Sequence, residues 1–222
     1  MRVRAFGGIC NRLRVVLSYR ATFGAIEVGW MPDGEIANAR FEDVFQALPG
    51  VRFEEGSDYT TTTLDPYPHA PADWMMSYRD LQLLPEHAAR FDAVRPRGPY
   101  SAMHVRRTDH VGLANRCGSY TSDEQFLTFI REAPSPIVLC TDNGTTQLQF
   151  MRAIREAGKD CVALDGIRVH DKENDNFQRN TTLADAAIDL FLLAGATHLK
   201  LSGASSFSNT AFGLQQIRGW WS

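Results

Sequence analysis

The segment Tyr100-Ser-Ala-Met-His-Val-Arg-Arg-Thr-Asp-His110 carries the strongest signal for the fold. A β-type run ends abruptly in a crowd of polar groups, His104, Arg106, Arg107 and Asp109. That is how a buried parallel strand meets the carboxyl edge of an open α/β sheet, where ligands bind. Two adjacent guanidiniums at such an edge need an anionic partner, and a phosphate or diphosphate matches their fork of donors.

Downstream of this segment the chain alternates. The strand over 100–107 is followed by a helix near 122–132, a strand Pro136–Thr141, a helix over 145–157 and a strand over 161–164. A polar loop then leads to a helix over 182–195, a strand His198–Ser202 and a helix over 206–217. Strands alternating with helices of this length predict a parallel sheet with helices on both faces. Upstream, a strand Val3–Phe6, the loop Gly7-Gly-Ile-Cys-Asn-Arg-Leu13, a helix to about Ala25 and a strand Ile26–Trp30 form a β-loop-α-β unit. Phe41, Val44, Phe45 and Leu48 have the spacing of a short helix, and residues 56–76, rich in Thr, Asp and Pro, read as an irregular loop. Pro85 opens a helix with Ala88, Phe91 and Val94 on one face, and Arg95-Pro-Arg-Gly-Pro99 reads as a linker. The prediction is an α/β chain of two lobes, residues 1–98 and 99–222.

Composition narrows the class of function. Of 222 residues 44% are hydrophobic and 22% charged, as in an ordinary globular protein, and the formal net charge of −3 disfavours nonspecific nucleic-acid binding. Only Lys159, Lys172 and Lys200 among the 23 basic residues are lysine. The simplest source of that arginine excess is codon bias, so no single arginine is an argument by itself. Cys10, Cys117, Cys140 and Cys161 have no metal-ligand spacing, and Cys140, in an apolar run, reads as a buried thiol. A reducing, cytoplasmic setting is expected. The N-terminal apolar stretch is broken by Asn11, Arg12 and Arg14, and Ala186–Ala196 contains Asp189, so neither a signal peptide nor a membrane span is predicted.

Three polar clusters follow three strands of the second half: His104 to Asp109, Thr141-Asp-Asn-Gly144 and Ser202-Gly-Ala-Ser-Ser-Phe-Ser208. In a doubly wound sheet they converge on one crevice. The serines open a helix, either as a plain N-cap or as an anion site built from unpaired amides and the helix dipole. His104 reads equally as a structural histidine or a site residue, and Asp109 as a counter-ion to the arginines or a substrate contact. Asp189 has apolar neighbours, so it needs a partner if buried, either Arg179 or a ligand hydroxyl. The acidic loop Asp171–Asn176 reads as solvated rather than metal-binding. No GxSxG elbow, phosphate-binding GxxxxGK[ST] loop or HExxH helix occurs.

Together these residues resemble the fucosyltransferase superfamily that includes the α1,6-fucosyltransferases, the bacterial nodulation fucosyltransferases and the protein O-fucosyltransferases. The resemblance covers most of the chain. It rests on Gly7–Leu13, on His104-Val-Arg-Arg-Thr-Asp109, and on Asp185-Ala-Ala-Ile-Asp-Leu-Phe-Leu-Leu193 followed by Ser205-Ser-Phe-Ser208. It implies a GT-B fold of two Rossmann-like lobes, with the nucleotide sugar GDP-fucose bound mainly by the C-terminal one, and inverting transfer to a glycan or glycoconjugate without metal or other cofactor. By resemblance Arg106 holds the β-phosphate of the leaving GDP, with His104 and Arg107 beside it. Ser205, Ser206, Phe207 and Ser208 line the diphosphate and nucleoside pocket, Asp189 lies near the nucleotide, and Asn11 approaches the donor from the other lobe. In the α1,6-fucosyltransferases the glutamate proposed as base lies ten residues after the motif histidine; here that position is Ala114. Asp109, His110 and Asp123 are the neighbouring candidates, Asp109 being placed with Arg106 in the catalytic pair. Two alternatives stay open: a nonenzymatic nucleotide-sugar or glycan-binding protein, and a transferase using another GDP- or UDP-sugar. Acceptor contacts are expected from Tyr59, Tyr67, His69 and Trp74, the last equally a core residue.

Overall fold

The computed structural model describes residues 1–33, 37–56, 58–107, 111–165 and 181–217, with backbone alone at 111–113. Asp109, His110, Arg179 and the acidic loop Asp171–Asn176 lie outside the described residues.

Two four-stranded sheets, parallel throughout, carry the chain. The first contains β1 (Arg2–Ala5), β2 (Ile26–Gly29), β3 (Val51–Phe53) and β4 (Thr61–Thr63) in the order β3-β2-β1-β4. The second contains β5 (Ser101–Val105), β6 (Ile137–Thr141), β7 (Cys161–Val162) and β8 (His198–Leu201) in the order β7-β6-β5-β8. The two orders are the same doubly wound pattern, with a switch point beside the first strand of each sheet: β1 next to β4, and β5 next to β8. The helices are α1 (Ile9–Phe23), α2 (Pro85–Val94), α3 (Val111–Arg116), α4 (Asp123–Glu132), α5 (Gly144–Glu156), α6 (Leu183–Gly195) and α7 (Ser206–Gln216). This is the two-lobed α/β architecture expected from the sequence.

The pleat of the second sheet sorts its side chains. Met103, Val105, Ile137 and Leu139 pack with Phe126 and Ile130 of α4 and Phe150 and Ile154 of α5. Ala102, Val138 and Cys140 face the other way, into a core shared with α1, α6 and α7. Because successive strand residues alternate sides, His104 falls on the α6/α7 side, and continuing the alternation past the strand end puts Arg106 there and Arg107 opposite. Eleven of the thirteen residues of α6 are buried, since the second sheet, α2 and α7 enclose it. A helix apolar all round is stable only in such a position. The halves are also tied directly: Asn38 Oδ1 accepts the Leu183 N–H at 3.0 Å, and Arg90 pairs with Asp185 at 2.6 Å. Asn38 lies in the segment after β2 and Leu183 opens α6, so this bond joins the first half of the chain to the helix that lines the cleft of the second. No helix among the described residues is long and apolar enough to cross a membrane.

Two expectations of local structure are corrected. The helix expected from Phe41, Val44, Phe45 and Leu48 shrinks to a 3-10 turn, Phe41–Asp43. The four residues are buried as expected, but Phe41 stacks on Phe53 of β3 at 4.3 Å and Phe45 bridges to Leu83, so packing replaced helix propagation. Residues 56–76 are not all loop. Thr61–Thr63 forms β4, completing the first sheet beside β1, and Trp74–Asp80 winds into a 3-10 segment packed on α1 and α7. Three β-branched residues suit an edge strand, but a three-residue run shows no apolar alternation to read.

Candidate functional site

Beside the β5/β8 switch point two strand ends and two helices line an open cleft. β5 contributes His104 and Arg106, β6 Thr141 and Asp142, α6 Ala186 and Asp189, and α7 Phe207. The His104 ring is held on both sides: its Nδ1 is 2.9 Å from Ser208 Oγ, and it lies 4.8 Å from the Phe207 ring. Arg106 is 9% exposed, its N–H donates to Ser202 Oγ at 2.9 Å, and its Nε lies 3.8 Å from Asp142 Oδ2. A guanidinium lining an open cleft carries the planar fork of donors that suits a phosphate or diphosphate.

Asp189 is buried, and burial pushes its carboxyl up to about 8 from 3.8; a hydrogen bond from Cys140 opposes this and the charge of Asp185 adds to it. Asp185 has a separate role, capping α6 through the Thr182 N–H and pairing with Arg90. The Cys140 thiol is pushed above its ordinary range by burial, as expected of an inert core cysteine.

The serine-rich turn is set by backbone geometry. Ser205 caps α7, its Oγ accepting the Ser208 N–H at 3.3 Å. Ala204 is left-handed at φ 52°, and a Cβ on Gly203 would lie 1.8 Å from Ser119 O. Only glycine admits that approach. Replacing Gly203 with alanine should cost about 1–3 kcal/mol through forced displacement of this turn, and should weaken ligand binding in the cleft; a thermal-melt comparison with a ligand titration checks both.

Arg107 does not line this cleft. Its guanidinium donates to Asp123 Oδ1 at 2.6 Å and to Thr121 O at 3.1 Å, and lies over the Tyr120 and Phe126 rings. Asp123 is thereby committed to an ion pair. Ala114 closes, with Arg106, Arg107, Tyr120 and Gly203, a small adjoining pocket. Ser206 is half-buried in the first turn of α7. Asn11, in the first turn of α1, is not among the cleft residues, and its enclosed Oδ1 accepts no hydrogen bond among the described residues. Tyr59 is tied to Glu54 O and packs on Gly29, Trp74 packs on Tyr78, and Tyr67 binds Ser18 Oγ two turns down α1 from Asn11.

Two residues gain weight that the sequence reading did not give them. Asp142 holds both arginines, accepting the Arg107 N–H at 3.0 Å while flanking Arg106; its signal was a Thr-Asp-Asn-Gly turn after a strand. Arg12 is 2% exposed and donates to Gly7 O at 2.8 Å, Met31 O at 2.6 Å and Asp33 at 2.7 Å, under the Trp30 ring. It fixes the glycine loop to the end of β2. Among the described residues no group of three or more His, Cys, Asp or Glu is gathered as a metal ion would need.

No protein-family model and no curated protein matches the sequence. Solved structures do match. A NodZ α-1,6-fucosyltransferase soaked with GDP-fucose is 18% identical over 95% of this chain and 91% of its own, with a TM-score of 0.57. The fucosyltransferase NodZ from Bradyrhizobium is 17% identical over the same shares, also at 0.57. POFUT1 in complex with GDP is 11% identical over 98% of this chain and 95% of its own, at 0.64. The chain shares the two-lobed, GT-B-like fold of these solved fucosyltransferases.

Proposed function

We propose that this chain is a metal-independent, inverting glycosyltransferase that moves fucose from GDP-fucose to a glycan or glycoconjugate acceptor. The observation that carries it is Arg106 in a cleft at a parallel-sheet switch point, opposite a buried carboxylate and beside a histidine locked by Ser208. Solved structures of the same fold with GDP or GDP-fucose support it.

In this reading the acceptor oxygen attacks the anomeric carbon opposite the diphosphate, and the bond from that carbon to the β-phosphate oxygen breaks. Its electron pair leaves with GDP. Arg106 stabilises that growing charge, as preorganised donors in a secluded site do, and the α7 N-terminus adds its dipole. Asp142 positions Arg106, while Arg107, paired with Asp123, supports the loop rather than touching the phosphate. The proton of the acceptor passes to a base, for which Asp109 is our candidate. Asn11 reaches the donor from the first lobe, and Ser206 contributes to the phosphate side. The cytoplasmic setting rests on the cysteine pattern alone.

Asp189 would accept from the N1–H and N2–H edge of guanine. As a carboxylate it accepts; protonated, it gives up part of that capacity. With its carboxyl at about 8, GDP affinity should rise as pH increases from 6 through 8. Asp189→Asn should abolish that dependence. Folding runs the other way: between 3.8 and about 8 the native state retains a proton that the unfolded chain has lost, so stability should fall with rising pH in that window. Calorimetric GDP titrations and melts across pH measure the two slopes.

The direct test is release of GDP from GDP-fucose with a mixture of glycan acceptors, alongside a thermal-shift comparison of GDP and UDP. Stabilisation by UDP and not GDP overturns the fucose donor. A second reading, a nucleotide-sugar-binding protein, is favoured by Ala114, which puts a methyl group where the resemblance places a carboxylate. Binding of GDP-fucose without turnover would select it.

A further inference from the structure

At the amino edge of the second sheet, opposite the edge that carries the Arg106 cleft, lies a separate open cavity of about 520 Å³. Small-molecule sites commonly span roughly 300–1,000 Å³. The cavity is lined by Arg95, Pro96, Arg97 and Gly98 of the segment between α2 and β5, by Tyr100, and by Gly195, the last residue of α6. Among the described residues no carboxylate lies within ion-pair distance of either guanidinium. Asp92 also lines the cavity, but it is exposed, and two cations against one carboxylate leave the lining net positive.

Backbone and packing hold this lining in place. Pro96 and Pro99 fix φ on either side of Arg97, and Gly98 turns the chain at φ 107°, a conformation that favours glycine. Arg95, half-buried, lies over the Phe91 ring at 5.3 Å, and Phe91 is itself buried against Phe191 of α6. Buried Tyr100 is anchored by donating its hydroxyl to Leu192 O at 2.6 Å. That bond and the one from the Ala196 N–H to Leu193 O occupy carbonyls at the end of α6 that would otherwise repel an anion.

We infer that this cavity is a second anion site, taking a phosphate group through Arg95 and Arg97. The planar fork of a guanidinium matches phosphate oxygens, and a turn already stiffened by two prolines and a stacked ring loses little freedom on binding. The site is distinct from the cleft: Asp189 lines the cleft and Gly195 this cavity, about 9 Å further along the same helix. It stands independently of the transferase reading.

Calorimetric titration of the full chain at low ionic strength with inorganic phosphate, pyrophosphate and glucose 6-phosphate tests it. Each titration is repeated in Arg106→Ala, which removes the guanidinium of the cleft. At least one of the three should bind both proteins. Arg97→Gln should weaken that binding by about tenfold or more, the worth of a charge-assisted contact. Arg97 is exposed, so this change spares the core, and a melt verifies it. Arg95→Gln should weaken the same ligand and supplies a second measure. A response to inorganic phosphate supports free phosphate as the occupant, and a response to glucose 6-phosphate alone supports a phosphorylated sugar. No binding of any probe, binding unchanged in both Arg97→Gln and Arg95→Gln, or binding lost in Arg106→Ala overturns the site.

Discussion

Replacing Arg106 with alanine should weaken GDP binding by a factor of about 30 to 4,000, the equivalent of about 2–5 kcal/mol for one partner of an enclosed charge contact. The loss should extend to transfer, where kcat falls further than binding, because charge on the diphosphate is greatest as the sugar departs. Arg106→Lys should recover only part, since an ammonium replaces a planar fork by a point charge. A thermal melt of the variant reports separately any cost to the fold of losing the Asp142 contact, while the backbone bond to Ser202 is kept. Calorimetry with GDP and single-turnover transfer give the two numbers. Unchanged binding and rate in Arg106→Ala would remove the basis of the donor site.

The second large effect concerns folding. Arg12→Met should lower stability by about 2–5 kcal/mol, because two enclosed carbonyls lose their donor at about 1–3 kcal/mol each, and lower Tm by about 4–20 °C at this chain length. Methionine restores the volume but leaves the carbonyls of Gly7 and Met31 without their donor. Asp33→Asn should cost under about 1 kcal/mol, because its side chain is 44% exposed and already hydrated. The asymmetry distinguishes an arginine that serves the loop carbonyls from one that serves the ion pair. A smaller loss in Arg12→Met than in Asp33→Asn would contradict it.

The second lobe was readable because its signals are local and periodic. Strand and helix lengths, the polar clusters after β5, β6 and β8, and the buried Cys140 and Asp189 all follow from patterns a few residues long. Even the separation of Arg106 from Arg107 is latent in the period of two, although adjacency in sequence suggested a pair acting together. The first lobe was less readable. β3 and β4 are three residues each, too short for alternation, and exist because β1 and β2 offer edges to pair with. Phe41 and Phe45 have helical spacing but follow Phe53 and Leu83 instead.

Sequence alone determined the two-lobed α/β class, the edge of the sheet where polar groups gather, and the identity of the residues crowded there, because strand period and strand-end chemistry are properties of neighbouring residues. Tertiary structure decided what each of them does. Arg107 found Asp123 and two aromatic rings across the helix layer, Asp142 came to flank Arg106, and burial raised the Asp189 carboxyl. Charge partners and desolvation are set by residues distant in the chain, and only packing brings them within reach.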